Sequence, residues 1–174
     1  MKFKIKKHKY PKDMDKCPSL VHLCDALNSM KGVKTVESCS GHSLNPTTVF
    51  FYCKDFESLA RIQRSIDVRY TSCNTKWELG AVTTDVSPKK TPPIVFYIRS
   101  KEVYKTHSDI TRDLEMIVLD LEYYHTPFFN RWFHDPRSCK KRTREDQKVF
   151  DEYMKRYDAI DQSYYQQVTL AKKG

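Results

Sequence analysis

The chain has 174 residues, the size of one domain or of one domain with a helical appendage. Hydrophobic residues make up 39% and aromatics 13%, enough for a packed core, while 30% are charged and the formal net charge is +9. No apolar run approaches the ~20 residues of a membrane span, and the basic start M-K-F-K-I-K-K-H-K-Y has no apolar stretch behind it, so membrane and secreted classes are not expected and the chain reads as cytoplasmic.

A basic field favours anionic partners, here a nucleotide or RNA. Six cysteines in a reducing compartment read as thiols.

In chain order, K-F-K-I-K at residues 2–6 alternates as a strand does, with Phe3 and Ile5 on one side. A helix is expected over residues 19–31, with Ser19 as cap, Leu20, Leu23, Cys24 and Leu27 at helical spacing, and Gly32 past its end. Residues 33–37 read as a strand that runs into a Cys-Ser-Gly-His turn, and residues 47–52 as a second, central strand. Asp55 caps a helix whose buried stripe is expected to hold Phe56, Leu59, Ile62 and Ile66. Residues 76–84 and 94–99 read as the two strands of a hairpin across a proline-rich basic turn. A helix over residues 110–124 follows, with Ile110, Leu114, Ile117 and Leu121 on one face.

Beyond residue 124 the composition changes. H-T-P-F-F-N-R-W-F-H-D-P is rich in aromatics, S-C-K-K-R-T-R is cationic, and residues 145–168 read as a long, Tyr-rich helix. The expected fold is α+β: a ferredoxin-like antiparallel sheet with helices on one face, an extra β-hairpin and a helical C-terminal extension. The expected division is a core domain over residues 1–124, with an aromatic and basic linker plus helix over 125–174 that packs on the core or on a partner. Tyr153, Tyr157, Tyr164 and Tyr165 suggest such a surface, a homodimer among the possibilities.

The chain has only four glycines, and one of them, Gly41, stands between Cys39 and His42. A turn that needs positive φ, or that admits a ligand near its backbone, selects glycine. Ser38, Ser40 and Ser43 add hydroxyls beside the amides, and such a concavity can hold an anion. His42 can donate to phosphate. Three chemistries fit: an anion or nucleotide cradle; half of a zinc site, with His22, Cys24, Cys53 or Cys73 completing it; or a Cys39 nucleophile with His42 as base. A plain tight turn with a buried thiol is the fourth reading. No metal ligand and no catalytic residue is assigned on spacing alone.

S-C-S-G-H, flanked by G-V-K-T-V-E before it and P-T-T-V-F-F-Y after it, resembles the motif of small bacterial and phage proteins that carry G-I-x-T-x-x-S-C-x-G-H ahead of a strand. More distantly, S-C-S-G is similar to the S-S-C-S-G segment of the wybutosine-tRNA methyltransferase family, which acts on a hypermodified guanosine beside the tRNA anticodon using S-adenosylmethionine. The resemblance covers about residues 19–99. Ser38, Cys39, Ser40 and Gly41 match that family's motif, while His42 stands where an arginine is expected. It implies a related fold more than an activity.

Arg61, Arg64 and Lys76 can rim the loop. Lys140, Lys141, Arg142 and Arg144 form a cationic run that can meet nucleic-acid phosphates. Phe128, Phe129, Trp132 and Phe133 can stack bases or pin the C-terminal extension to the core, and packing is the favoured reading. The expected function is nucleotide or nucleic-acid phosphate binding at Ser38–His42, plausibly to sequester a nucleotide or bind RNA. The rivals are an S-adenosylmethionine-dependent RNA methyltransferase-like enzyme and a zinc-stabilised interaction module. No cofactor is assigned.

Overall fold

The computed structural model describes residues 4–11, 15–42, 44–68, 73–83, 94–124, 126–134 and 142–171. The element order is α1(Pro18–Asn28), β1(Val33–Cys39), β2(Thr48–Cys53), α2(Phe56–Val68), β3(Trp77–Thr83), β4(Ile94–Ser100), α3(His107–Tyr123), α4(Pro127–His134) and α5(Arg144–Ala171). The four strands form one antiparallel sheet in the order β1-β2-β4-β3. This is the α+β class the pattern predicts.

Alternation sorts each strand into two faces. Val33 on β1, Val49 and Phe51 on β2, Trp77 on β3 and Ile98 on β4 enter the main core, where they meet Leu20, Leu23 and Leu27 of α1, Ile62 and Ile66 of α2, and Leu114 and Ile117 of α3. Helices α1, α2 and α3 therefore cover one face of the sheet. Across the central pair the register sets Val49 opposite Ile98 and Phe51 opposite Phe96. The opposite face carries Phe50 against Tyr97, with ring centroids 5.9 Å apart, and Arg99 paired with Glu78.

Residues 4–11 form no strand, contrary to the expectation for residues 2–6 (1–3 lie outside the described residues). Side-chain acceptors near the end of α1 take the amides that a ladder would use: Lys6 N donates to Ser29 Oγ at 2.8 Å and His8 N to Asp25 Oδ1 at 2.9 Å. The inner place beside β2 is held by β4.

Three further expectations are corrected. Helix α1 begins at Pro18 with Cys17 as its N-cap, so Ser19 lies inside the helix and is buried rather than capping it; proline suits the first helical position because its missing N–H has no partner there anyway. Asp55 does cap α2, accepting from Ser58 N at 2.9 Å, and Ile62 and Ile66 are buried with Leu59 packed against the core as expected, but Phe56 is 86% exposed and does not join the stripe, to which Ser58 and Ser65 are added. Strand β1 continues to Cys39 through a bulge between Thr35 and Glu37, so Cys39 ends a strand rather than sitting in the turn. The bulge leaves Val36 unopposed and 51% exposed.

The C-terminal third packs as a second layer on α3. Leu119 and Tyr123 of α3 meet Phe128 and Phe129 of α4 and Tyr153 of α5 in a separate apolar cluster, with Trp132 and Phe150 packed against it. The long helix is pinned by polar contacts as well. Tyr153 donates its hydroxyl to Asp120 at 2.8 Å, Tyr164 to Asp109 at 2.8 Å, and Arg112 Nε reaches Asp161 Oδ1 at 2.8 Å. Tyr153, Tyr157 and Tyr164 thus belong to the α3–α5 contact, while Tyr165 is 61% exposed. No helix among the described residues is long and apolar enough to cross a membrane.

Candidate functional site

Beyond Cys39 the chain turns sharply. Gly41 has φ 83 and His42 has φ 48, two successive residues in the left-handed region. Only glycine fits the first: a Cβ there would stand 1.9 Å from the backbone oxygen of Asn45. The Gly41 carbonyl closes the bend by accepting from Leu44 N and Asn45 N, each at 2.9 Å. The Thr47 hydroxyl donates to the Ser40 carbonyl at 2.9 Å, and Thr47 N donates to Ser100 Oγ at 3.0 Å, which ties the bend to β4.

The concavity does hold an anion, and the anion is the chain's own. Asp15, from the segment leading into α1, accepts from Ser40 N through Oδ2 at 2.7 Å and from Cys17 N through Oδ1 at 3.0 Å. Desolvation works against the charged carboxylate, but the Cys17 and Ser40 amides, joined by His42, overcome it and hold its pKa below the usual carboxylate value. The Gly41 amide donates to Cys39 Sγ at 3.3 Å. The imidazole Nε2 of His42 lies 3.4 Å from Asp15 Oδ2, with the ring largely exposed. Asp15, Cys39 and His42 each bring a ligating atom within 4.8 Å of the other two. The residues suggested from sequence to complete a metal site are engaged elsewhere. His22 pairs with Glu115 at 2.9 Å, and Cys53 Sγ donates to the Asp55 carbonyl at 3.2 Å. Burial, first of all, pushes the Cys24 thiol up to about 12, so it stays protonated in the core.

A cavity of ≈ 800 Å³ opens along the outer edge of β1. One wall is the N-terminal segment with His8, Lys9 and Tyr10; the other is β1, with Lys34, Glu37 and Ser38, and Tyr52 from β2. Asn28 fixes the floor. Its Oδ1 accepts from Thr35 N at 2.8 Å, and its Nδ2 donates to Thr35 Oγ1 at 2.7 Å and Tyr10 Oη at 3.1 Å. The Tyr10 hydroxyl donates in turn to Asp25 Oδ1 at 2.7 Å. The position of the Tyr10 hydroxyl is therefore set by Asn28 and Asp25.

Of the residues singled out in the sequence, Ser38 is the one that lines this cavity. Cys39, Ser40, Gly41 and His42 form the bend beside it, and Ser43 lies outside the described residues. Arg61 is on α2 and pairs with Glu57, Arg64 is exposed on the same helix, and Lys76 is exposed ahead of β3; none of the three is among the cavity-lining residues. In the cationic run, Lys140 and Lys141 lie outside the described residues, Arg144 opens α5, and the guanidinium of Arg142 sits 3.7 Å over the Phe150 ring. Sequence reasoning missed Asp15, Lys9, Lys34 and Tyr52. Only the cluster of charged and aromatic residues at the N-terminus hinted at a second wall.

The fold and this edge cavity define the class: a small α+β protein with a four-stranded antiparallel sheet and a cavity of mixed polar and apolar lining, two lysines among it, beside its edge strand. Comparisons of the chain with protein-family models, with curated proteins and with solved structures return no match.

Proposed function

We propose that the chain binds a nucleotide-sized anionic ligand in the cavity between its N-terminal segment and the outer edge of β1. The observation that carries this reading is the lining. A volume of ≈ 800 Å³ has His8, Lys9, Tyr10, Lys34 and Tyr52 among its lining residues, within the roughly 300–1,000 Å³ common for small-molecule sites. Lysine amines suit phosphate oxygens, tyrosine faces suit a base, and the Glu37 carboxylate can accept from a ribose hydroxyl or an exocyclic amine. The +9 formal charge draws such a ligand toward the chain.

The bend at Ser40–His42 is not part of the cavity lining, and in this reading it does not hold the ligand's phosphate, because the Ser40 amide is already engaged by Asp15. The reading therefore favours the Ser38 end of the motif over Gly41 for the ligand's anionic group.

A thermal-shift titration with mono- and dinucleotides, S-adenosylmethionine and short single-stranded RNA tests the reading. A ligand that binds only the folded chain stabilises it by about 2.7 kcal/mol at a hundredfold excess over Kd. Nucleotides are expected to raise Tm in wild type and much less in Lys34→Ala. A shift with S-adenosylmethionine alone favours the methyltransferase-like alternative, and one with RNA alone favours a nucleic-acid surface.

A further inference from the structure

We propose that Asp15, Cys39 and His42 form a zinc-binding site. The three side chains come from separate places in the chain: the lead-in to α1, the last residue of β1 and the far side of the bend. Their ligating atoms nevertheless converge within 4.8 Å of one another. Zinc bond lengths and tetrahedral angles place pairs of ligand atoms about 3.3–3.6 Å apart. The 3.4 Å between His42 Nε2 and Asp15 Oδ2 already matches that spacing.

The surroundings hold these ligands as outer-shell groups hold metal ligands. Both oxygens of Asp15 are oriented by amides, Cys17 N on Oδ1 and Ser40 N on Oδ2, and the Ser40 side chain bonds the same carboxylate; a carboxylate has about four acceptor positions, so it can still ligate an ion. The Cys39 sulfur accepts the amide of the residue two positions on, at 3.3 Å, a donor that stabilises negative charge on sulfur. Two left-handed residues in succession, φ 83 and φ 48, turn the chain so that the imidazole meets Asp15. For His42 this is a costly backbone for a residue with a side chain. An imidazole, a thiolate and a carboxylate together suit zinc and do not suit calcium or magnesium, which take oxygen ligands. Among the described residues the group has three members. Three protein ligands leave the fourth tetrahedral position for water or an anionic group, and the 69% exposure of the His42 side chain puts that position within reach of solvent. Binding releases the Cys39 thiol proton to solvent as the thiolate joins the ion.

The probe is cobalt, which takes zinc sites and reports thiolate ligation by a charge-transfer absorption in the near ultraviolet. Metal-free full-length protein is titrated with Co²⁺ and then with Zn²⁺. The site predicts one cobalt per chain, a thiolate-to-cobalt band, and bleaching of that band by stoichiometric zinc. Cys39→Ser removes the band, His42→Ala weakens cobalt binding by at least about tenfold, and Cys53→Ser leaves both unchanged. Circular dichroism and melting of the metal-free variants verify folding. Asp15→Asn, which keeps an acceptor for the Ser40 amide, is expected to weaken cobalt binding as well. No band in excess cobalt, or a band that survives Cys39→Ser, overturns the proposal whether or not the chain binds nucleotides.

Discussion

Asp15 Oδ2 lies 3.4 Å from His42 Nε2, so a carboxylate from the lead-in to α1 faces an imidazole that the bend after β1 turns toward it. That contact joins the N-terminal segment to the end of the edge strand. Neither residue lines the cavity, whose lining on β1 ends at Ser38.

Gly41→Val should unfold the bend. At φ 83 a branched side chain costs roughly 1–2 kcal/mol in backbone strain alone, and its Cβ would stand 1.9 Å from Asn45 O. The expected loss is at least about 2 kcal/mol, read from the urea midpoint. An unchanged midpoint would show that residue 41 does not need the left-handed conformation.

Asp113 is buried at 0% exposure beneath the loop ahead of β3. It accepts from Tyr104 Oη at 2.6 Å, Asn74 N at 2.9 Å and Thr75 N at 3.2 Å, while Trp77 Nε1 donates to Tyr104 Oη at 3.0 Å. Burial is the largest influence on its carboxyl and raises the pKa despite those donors. Asp113→Ala strands three donors in the core and should cost about 3–5 kcal/mol in chemical denaturation. Asp113→Asn, which keeps an acceptor, should cost less; equal losses would mean that the carboxylate is not what the donors require.

His22 and Glu115 give a pH signature. The hydrogen bond that His22 Nδ1 makes to the accepting Glu115 carboxylate is the main reason the His22 pKa is raised in the fold. A raised histidine pKa contributes stability that is fully present below the unfolded value of about 6.5 and is lost as pH rises through the folded value. The difference in Tm between wild type and His22→Gln should therefore be largest on the acid side and fade as pH rises. A gap that widens with pH would contradict the pairing.

Phe56→Ser should be silent. A ring 86% exposed contributes little, and the expected change lies within about 0.5 kcal/mol. A loss of the size seen for core aromatics would restore Phe56 to the buried stripe.

The spacing of apolar residues made most elements legible. Leu20, Leu23, Cys24 and Leu27 do form the buried face of α1, and the almost wholly apolar or β-branched run after Pro46 is the inner strand β2. Gly41 was legible too, because a scarce glycine between two polar residues signals a left-handed turn. What failed were features settled by distant neighbours. Among the described residues of the 2–6 stretch, residues 4–6 join no strand, and the Lys6 amide is taken by Ser29 Oγ instead. Phe56 fits a helical stripe, but it sits at the first position of α2, where the chain has not yet reached the core. The tyrosines of α5 announced a packing surface without saying whose, and α3 of the same chain supplies it. Asp15 has one local partner, the Cys17 amide, but nothing in the sequence marks its role at the bend, because the Ser40 amide and the His42 imidazole reach it only on folding.

Titration calorimetry of the folded chain with a mononucleotide tests the central claim most directly. The cavity reading predicts saturable binding of one ligand per chain. Lys34→Ala should weaken it by at least about tenfold through loss of one charge-assisted hydrogen bond, and Tyr52→Ala should weaken it as well, while Arg64→Ala, on α2 away from the cavity lining, leaves it unchanged. Absence of binding, or an affinity indifferent to Lys34 and Tyr52, would contradict a nucleotide site at the edge of β1.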